Sequence, residues 1–263
     1  MKLCVLASGS SGNCIFVGSK STSILIDAGL SGRETVRRLE QLSERPSAIQ
    51  AICITHEHSD HITGLRILHT RFGLELYANS GTIEALRMDS KLQHLQWNVF
   101  TTGASFQIGD LTLEPFAVSH DAYEPVGFIV SCGNIHTGIV TDIGVSTHLV
   151  KERLRHCQVL VIESNHDEQL LANAQRPWHL KQRISGRQGH LSNQRAADLI
   201  TEVAGENLAC VYLSHLSKDC NRPELALNTT MKALQKRGFP GVQVALTYPD
   251  RISEIWAGEG QKM

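Results

Sequence analysis

Thr55-His56-Glu57-His58-Ser59-Asp60-His61 is the stretch on which the reading of this chain turns. It directly follows Ala51-Ile52-Cys53-Ile54, an apolar run of strand character, so it lies on a strand-to-helix turn. In extended backbone, residues two apart project to the same side, so His56 and His58 converge. Asp60 and His61 then fall where the next helix begins. Neutral imidazoles with a carboxylate are the donor set of Zn²⁺ and similar borderline ions. The bland alternative, histidines on a polar surface loop, does not account for four such residues at this spacing.

Three more candidates share the setting, each just after a strand-like run. His120 follows Leu111–Ser119, Asp142 follows Gly138-Ile139-Val140-Thr141, and His215 follows Val211-Tyr212-Leu213-Ser214. A single histidine at a strand end is more often structural than functional. Together they share one edge of a layered body, where loops build sites. Five histidines and two aspartates suffice for two metals.

Other strand-like runs are Leu3–Ala7, Cys14–Val17, Ser23–Ile26, Glu75–Ala78, Gly127–Cys132, Val159–Ile162 and Val242–Leu246. Helical periodicity covers Arg33–Leu42, Thr147–Arg155, Gln194–Val203 and Pro223–Lys236, with Pro223 suited to a first helical turn and Gly238 to a helix end. Early strands read as hairpins and later ones alternate with helices, which predicts two mixed sheets face to face with helices outside. No linker or repeat interrupts the chain, so residues 1–263 read as one domain.

Composition narrows the function classes. Of 263 residues, 41% are hydrophobic and 19% charged, enough for a core and too little charge for disorder. Lys and Arg number 25 against 26 Asp and Glu, a net charge of −1, so nucleic acid would have to be met by a local patch. No apolar run is long enough for a membrane span, and the N-terminal stretch turns polar at Ser8 before a signal-peptide core forms. The seven cysteines include no Cys-x-x-Cys pair and read as buried free thiols. The expectation is a soluble cytoplasmic protein.

His56-x-His58-x-Asp60-His61, followed by His120, Asp142 and His215, resembles the metallo-β-lactamase superfamily in order and context over nearly the whole chain. That resemblance implies an α/β fold, a four-layer αββα sandwich of two mixed β-sheets, with a binuclear site at one sheet edge. It implies two divalent metal ions, Zn²⁺ foremost, with Mn²⁺ or Fe²⁺ as alternatives. His56, His58 and His120 would hold one, and Asp60, His61 and His215 the other, with Asp142 bridging. Two such ions about 3.5–4 Å apart would share a bridging hydroxide as nucleophile for an in-line displacement. Zinc β-lactamases of the familiar kind carry cysteine where this chain has Asp142, so antibiotic hydrolysis is not expected.

The second half narrows the branch. Glu163 opens Glu163-Ser164-Asn165-His166-Asp167 after a strand, and His190 precedes the helix at Gln194–Val203. Such a pair can pass a proton to a leaving oxygen, and transfer ribonuclease Z relatives carry Glu and His in equivalent stretches. Asp60, Glu163 and His190 are the candidate catalytic residues. The fuller resemblance is to the YycJ/WalJ-like nuclease group. It is carried by Ala7-Ser8-Gly9-Ser10-Ser11-Gly12-Asn13, Ser119–Phe128, Glu163–Asp167 and Leu180-Lys181-x-Arg183-Ile184 before Gly189–Asn193. Pro177-Trp178 departs from the Tyr-Pro common in that group.

This resemblance implies a 5′-to-3′ exonuclease on double-stranded DNA. A charge pattern supports a phosphate substrate independently: Gln169–Ala197 holds no Asp or Glu, but does hold Arg176, Trp178, Lys181, Arg183 and Arg187, the candidate substrate-binding residues. The alternatives are an RNA-processing ribonuclease, a small-molecule phosphodiesterase, a glyoxalase-II-like thioesterase or an iron-bearing redox module. Only 27 positions separate Glu163 from His190, which leaves no room for the inserted domain of β-CASP nucleases. The Gly-His-Thr of the thioesterase branch is absent around His120. The Ser8–Asn13 turn gives no role to Asn13, none is assigned to His166, and a homodimer is compatible with the chain.

Overall fold

The computed structural model describes residues 1–258. The first half runs β1 (Lys2–Ala7), β2 (Cys14–Gly18), β3 (Ser23–Ile26), α1 (Gly32–Gln41), β4 (Ala51–Cys53), α2 (Ser59–Ile62), α3 (Leu65–Phe72), β5 (Glu75–Ala78), α4 (Ser80–Arg87) and β6 (Asn98–Val99). The second half runs β7 (Phe106–Ile108), β8 (Leu111–Ala117), β9 (Val126–Cys132), β10 (Ile135–Val140), α5 (His148–Leu154), β11 (Val159–Glu163), α6 (Glu168–Asn173), α7 (Trp178–Ser185), α8 (Asn193–Val203), β12 (Cys210–Ser214), α9 (Pro223–Lys236), β13 (Gln243–Leu246) and β14 (Trp256–Ala257).

The strands form two seven-stranded sheets, ordered β14-β1-β2-β3-β4-β5-β6 and β13-β12-β11-β10-β9-β8-β7. Period-two alternation explains how both faces of each sheet are buried. In β1, Leu3 and Val5 enter the core between the sheets, while Cys4 and Leu6 face the outer helices. In β11, Val159 and Val161 point between the sheets, and Leu160 and Ile162 pack under the opposite helices. The result is the expected αββα sandwich.

The expectation of early hairpins and later helix-linked strands is corrected. Each sheet contains both: β1–β3 and β7–β10 are antiparallel, while β3–β6 and β10–β13 are parallel. Helix α2 begins where the turn at Asp60 and His61 predicts one, and α5 lies within the periodic stretch Thr147–Arg155, whereas α3, α4, α6 and α7, of six to eight residues, are not anticipated by the sequence pattern. Local chemistry ends and starts the others. Ser31, Thr147 and Ser192 side chains cap α1, α5 and α8, Pro223 opens α9, and Gly238 at φ 88° follows its end.

The strand ends that build the site are locked by backbone contacts. Asn13 N donates to Asp60 O at 2.7 Å, Gly29 N to Asn13 O at 2.8 Å, and Ala28 N to His61 O at 2.7 Å. Gly29 is required here, because a Cβ on it would lie 1.7 Å from Asp60 O and 2.5 Å from Asn13 N. Gly29→Ala is expected to cost about 3 kcal/mol and lower Tm by roughly 6–12 °C in a thermal melt. An unchanged Tm would mean that this junction yields freely.

Candidate metal centre

The carboxyl ends of β3, β4, β10, β11 and β12, and of β8 running the same way, meet at one edge of the sandwich. They deliver Asp27, the 55–61 turn, His120, Asp142, Glu163 and His215 to one place. All seven ligand candidates come together there. His56 Nε2 and His120 Nε2 lie 3.1 and 3.3 Å from His58 Nδ1. Asp60, His61 and His215 form a second cluster, and Asp142 groups with His56 and His61 between the two. Asp142 Oδ2 lies 3.1 Å from His61 Nε2.

The orientation of each imidazole is enforced from behind. His61 Nδ1 donates to Asp27 Oδ2 at 2.7 Å. His56 Nδ1 donates to Thr55 Oγ1 at 3.0 Å, and that hydroxyl donates to the Asp27 carboxylate. His120 Nδ1 donates to Gly189 O at 3.1 Å. These bonds fix the tautomers and turn each Nε2 into the cluster, the usual outer support of metal-ligating histidines. Asp27 and His215 adopt left-handed backbone, φ 62° and 55°, a strain typical of residues held for function.

The donor set fits divalent cations. Three imidazole nitrogens face one another at hydrogen-bond distance, although those of His56 and His120 have their protons on the opposite side. The buried Asp142 Oδ2 and His215 Nε2 have no hydrogen-bond partner among the described residues. A positive charge placed among these atoms satisfies all of them.

Electrostatics divides the two sets. Burial and the neighbouring His61 hold His56 well below the usual imidazole pKa, and burial lowers His120, so both stay neutral donors. Burial alone would also lower His61, but the Asp27 and Asp142 carboxylates outweigh it and raise it to about 10. His215 is likewise driven well above the ordinary value, with Asp142 overcoming burial. Burial works to raise Asp142, yet His215 and His61 hold it far below the carboxylate range. Protons on His61 and His215 thus occupy the role of positive charge.

A raised imidazole pKa contributes stability below its unfolded value, 6.5, that is lost as pH rises through about 10. Chelator-treated protein should therefore lose Tm between pH 7 and pH 10, whereas Zn²⁺-loaded protein should keep it. Equal alkaline losses with and without metal would remove the imidazolium account.

Glu163 and His190 are joined as the sequence reading expected. His190 Nδ1 donates to Glu163 Oε1 at 2.6 Å, and the fully buried carboxylate also accepts from Ile143 N and Leu191 N at 3.0 and 3.1 Å. Burial opposes charge on His190, but Glu163 outweighs it and raises the imidazole pKa. Glu163 Oε1 also lies 3.0 Å from His215 Nδ1.

The basic stretch is only partly gathered at the site. Arg176 and Arg183 line a cleft of about 190 Å³ with His190, Ser10 and Asn165. Arg187 lines an adjoining groove with Arg183 and Ser119. Arg176 pairs with Asp219 at 2.5 Å, and Arg183 with Asp121 at 2.6 Å. Lys181 Nζ instead donates to Ala172 O, and Trp178, 71% exposed, lines neither cavity.

Two residues given no role in the sequence reading hold the candidate ligands. Asn13 Nδ2 lies 3.1 Å from both Asp60 Oδ2 and His61 Nε2, and Asp27 anchors His61 and Thr55. Asp27 ends a strand, the same signal that singled out Asp142. His166 is buried, forms an isolated bridge with Ser192 and belongs to none of the candidate ligand groups.

A sandwich of this layering with this edge site is the metallo-β-lactamase fold. The family model described as the beta-lactamase superfamily domain matches residues 22–215, and the chain belongs to that superfamily. It is 37% identical to exodeoxyribonuclease YycJ of Bacillus anthracis over 89% of both chains. It is 36% identical to exodeoxyribonuclease WalJ of Streptococcus pneumoniae serotype 2, strain D39, over 89% of this chain and 88% of the relative, which places it in the YycJ-like group. The metallo-beta-lactamase fold protein YhfI from Bacillus subtilis superposes with a TM-score of 0.75 over 98% of both chains at 16% identity.

Proposed function

We propose that the chain is a metal-dependent nuclease, a 5′-to-3′ exonuclease on double-stranded DNA. The observation that carries this reading is the Glu163–His190 pair, set between a cluster fitted for cations and an arginine-lined cleft. The kinship with two exodeoxyribonucleases supports the substrate class. His56, His58 and His120 would hold one divalent ion, and Asp60, His61 and His215 a second, with Asp142 between them. Bound there, Zn²⁺ or Mn²⁺ supplies the charge that acidifies water and neutralises a phosphodiester.

The chain's own residues do the rest. Arg176 and Arg183 hold the sugar-phosphate backbone and carry no sequence information. Glu163 fixes the tautomer of His190 and keeps it protonated, which leaves Nε2 for the cleft. From that atom the leaving oxygen takes its proton. A cytoplasmic setting is supported by seven free cysteines, and no described helix is long and apolar enough to cross a membrane.

The test is digestion of a 5′-labelled DNA duplex and a matched RNA duplex with Mn²⁺ or Zn²⁺, with Asp60→Ala as control. Release of label from DNA by the native protein alone is the expected result. Preference for RNA, or digestion from the 3′ end, would overturn the substrate or the direction.

A further inference from the structure

Beyond the cleft at His190 the structure continues as a groove. The cleft shares Ser10, Arg176 and Ser217 with a second cavity of about 250 Å³. That cavity shares Leu216, Ser217, Lys218 and Pro249 with a third of about 500 Å³, lined further by Arg222, Tyr248 and Arg251. Its walls come from the β1–β2 loop and the segments after β12 and β13, the same edge that bears the candidate ligands. Ser8 ties wall to centre: its N donates to Tyr248 O at 3.1 Å, and its Oγ accepts from His215 N at 2.6 Å.

The charge along this groove is one-sided. Arg176 is offset by Asp219, but Lys218, Arg222 and Arg251 are exposed and form no ion pair among the described residues. Asp250 is the one acid lining the outer cavity. Arg251 lies over the Tyr248 ring, 3.6 Å from its centroid, which fixes a guanidinium at the far end. The three cations lie outside the basic stretch at 169–197 and are scattered through the sequence.

We propose that this groove holds a single-stranded segment of nucleic acid, several phosphates long, attached to the leaving oxygen. The inference rests on the nuclease reading above. Because His190 protonates the leaving oxygen, the strand on the departing side continues into the cavity that His190 lines, and from there past Lys218 to Arg251. Cavities that share lining residues from His190 as far as Arg251 leave room for the strand to continue beyond one nucleotide. The enzyme therefore accepts 5′ single-stranded overhangs and releases short oligonucleotides as well as mononucleotides.

The experiment uses metal-loaded protein and duplexes with phosphorothioate linkages at the ends, either blunt or with a six-nucleotide 5′ overhang. Native protein should bind the overhang more tightly than the blunt end. Lys218→Ala/Arg222→Ala/Arg251→Ala should abolish that difference and reduce the salt slope of overhang binding by about 2, at roughly 0.7 per single-strand phosphate contact. Lys232→Ala/Lys236→Ala/Arg237→Ala, on exposed α9 and beyond, controls for net charge and should keep the difference. With unmodified DNA, the native products should include oligonucleotides.

Equal binding of blunt and overhang ends, or the same loss in both triple variants, or mononucleotides alone, would overturn the groove. A gain from a 3′ overhang instead of a 5′ one would keep the groove and reverse the proposed direction. Hydrolysis of bis(p-nitrophenyl) phosphate by the native protein separates the two readings. Without it the nuclease reading itself fails; with it, a missing overhang effect counts against the groove alone.

Discussion

Replacing Asp142 with alanine is expected to lower kcat/KM for a phosphodiester by about 10⁴ or more, near 5 kcal/mol of transition-state stabilisation. The size follows from position. Asp142 has Oδ2 at 3.1 Å from His61 and Oδ1 at 3.9 and 3.4 Å from His120 and His215, so no other carboxylate faces both ligand sets. Its loss removes the anion that offsets the charge favoured on His61 and His215 and leaves the two sets with no carboxylate between them. Bound metal, measured by elemental analysis after dialysis against limiting Zn²⁺, should fall with activity. Asp142→Asn keeps the volume and removes the charge, so a similar loss would assign the effect to charge. Activity within tenfold of the native enzyme would exclude the bridging role.

The second large effect is expected at His190, the proposed proton donor. His190→Ala should lower kcat by about 10²–10⁴ with a much smaller change in KM, because the group acts on the leaving oxygen and not on binding. Glu163→Gln should approach the same loss. Its amide would present a donor to His190 Nδ1, which needs an acceptor, while Ile143 N and Leu191 N still require the other oxygen.

The pH profile discriminates this role from a structural one. Burial opposes charge on His190 but Glu163 outweighs it and raises its pKa, so native kcat should decline on the alkaline side as the donated proton is lost. His190→Ala should flatten the alkaline limb, because its residual rate no longer waits on that proton. An alkaline limb that persists unchanged in His190→Ala would show that another group donates the proton.

Much of this was legible in the chain. The strands read as nearly continuous apolar runs because each sheet is buried on both faces, and parallel strands deliver the candidate site residues at their carboxyl ends to one edge. His120, Asp142 and His215, far apart in sequence, were each marked by the same local sign, a strand followed by a ligand-type residue. Glu163 and His190 were marked likewise by strand end and helix start.

Four short helices, α3, α4, α6 and α7, leave little trace in the sequence, because about two turns carry little periodicity. The split of the basic stretch was also hidden: Arg176 and Arg183 line the cleft, while Lys181 turns back to Ala172 and Trp178 faces solvent. Which way the basic side chains in and before α7 face is set by carboxylates distant in sequence, Asp121 for Arg183 on the helix and Asp219 for Arg176 ahead of it, not by their neighbours in sequence.

By itself, then, the sequence determined the layered architecture and marked the candidate ligands and the candidate proton-donating pair, since apolar strand runs and the residue types at their ends are local properties written in consecutive residues. Only the tertiary structure decided the supporting roles of Asp27 and Asn13 and the joining of Lys218, Arg222 and Arg251 into one groove. Those depend on loops from both sheets meeting at a single edge, and such contacts between distant segments leave no periodic trace along the chain.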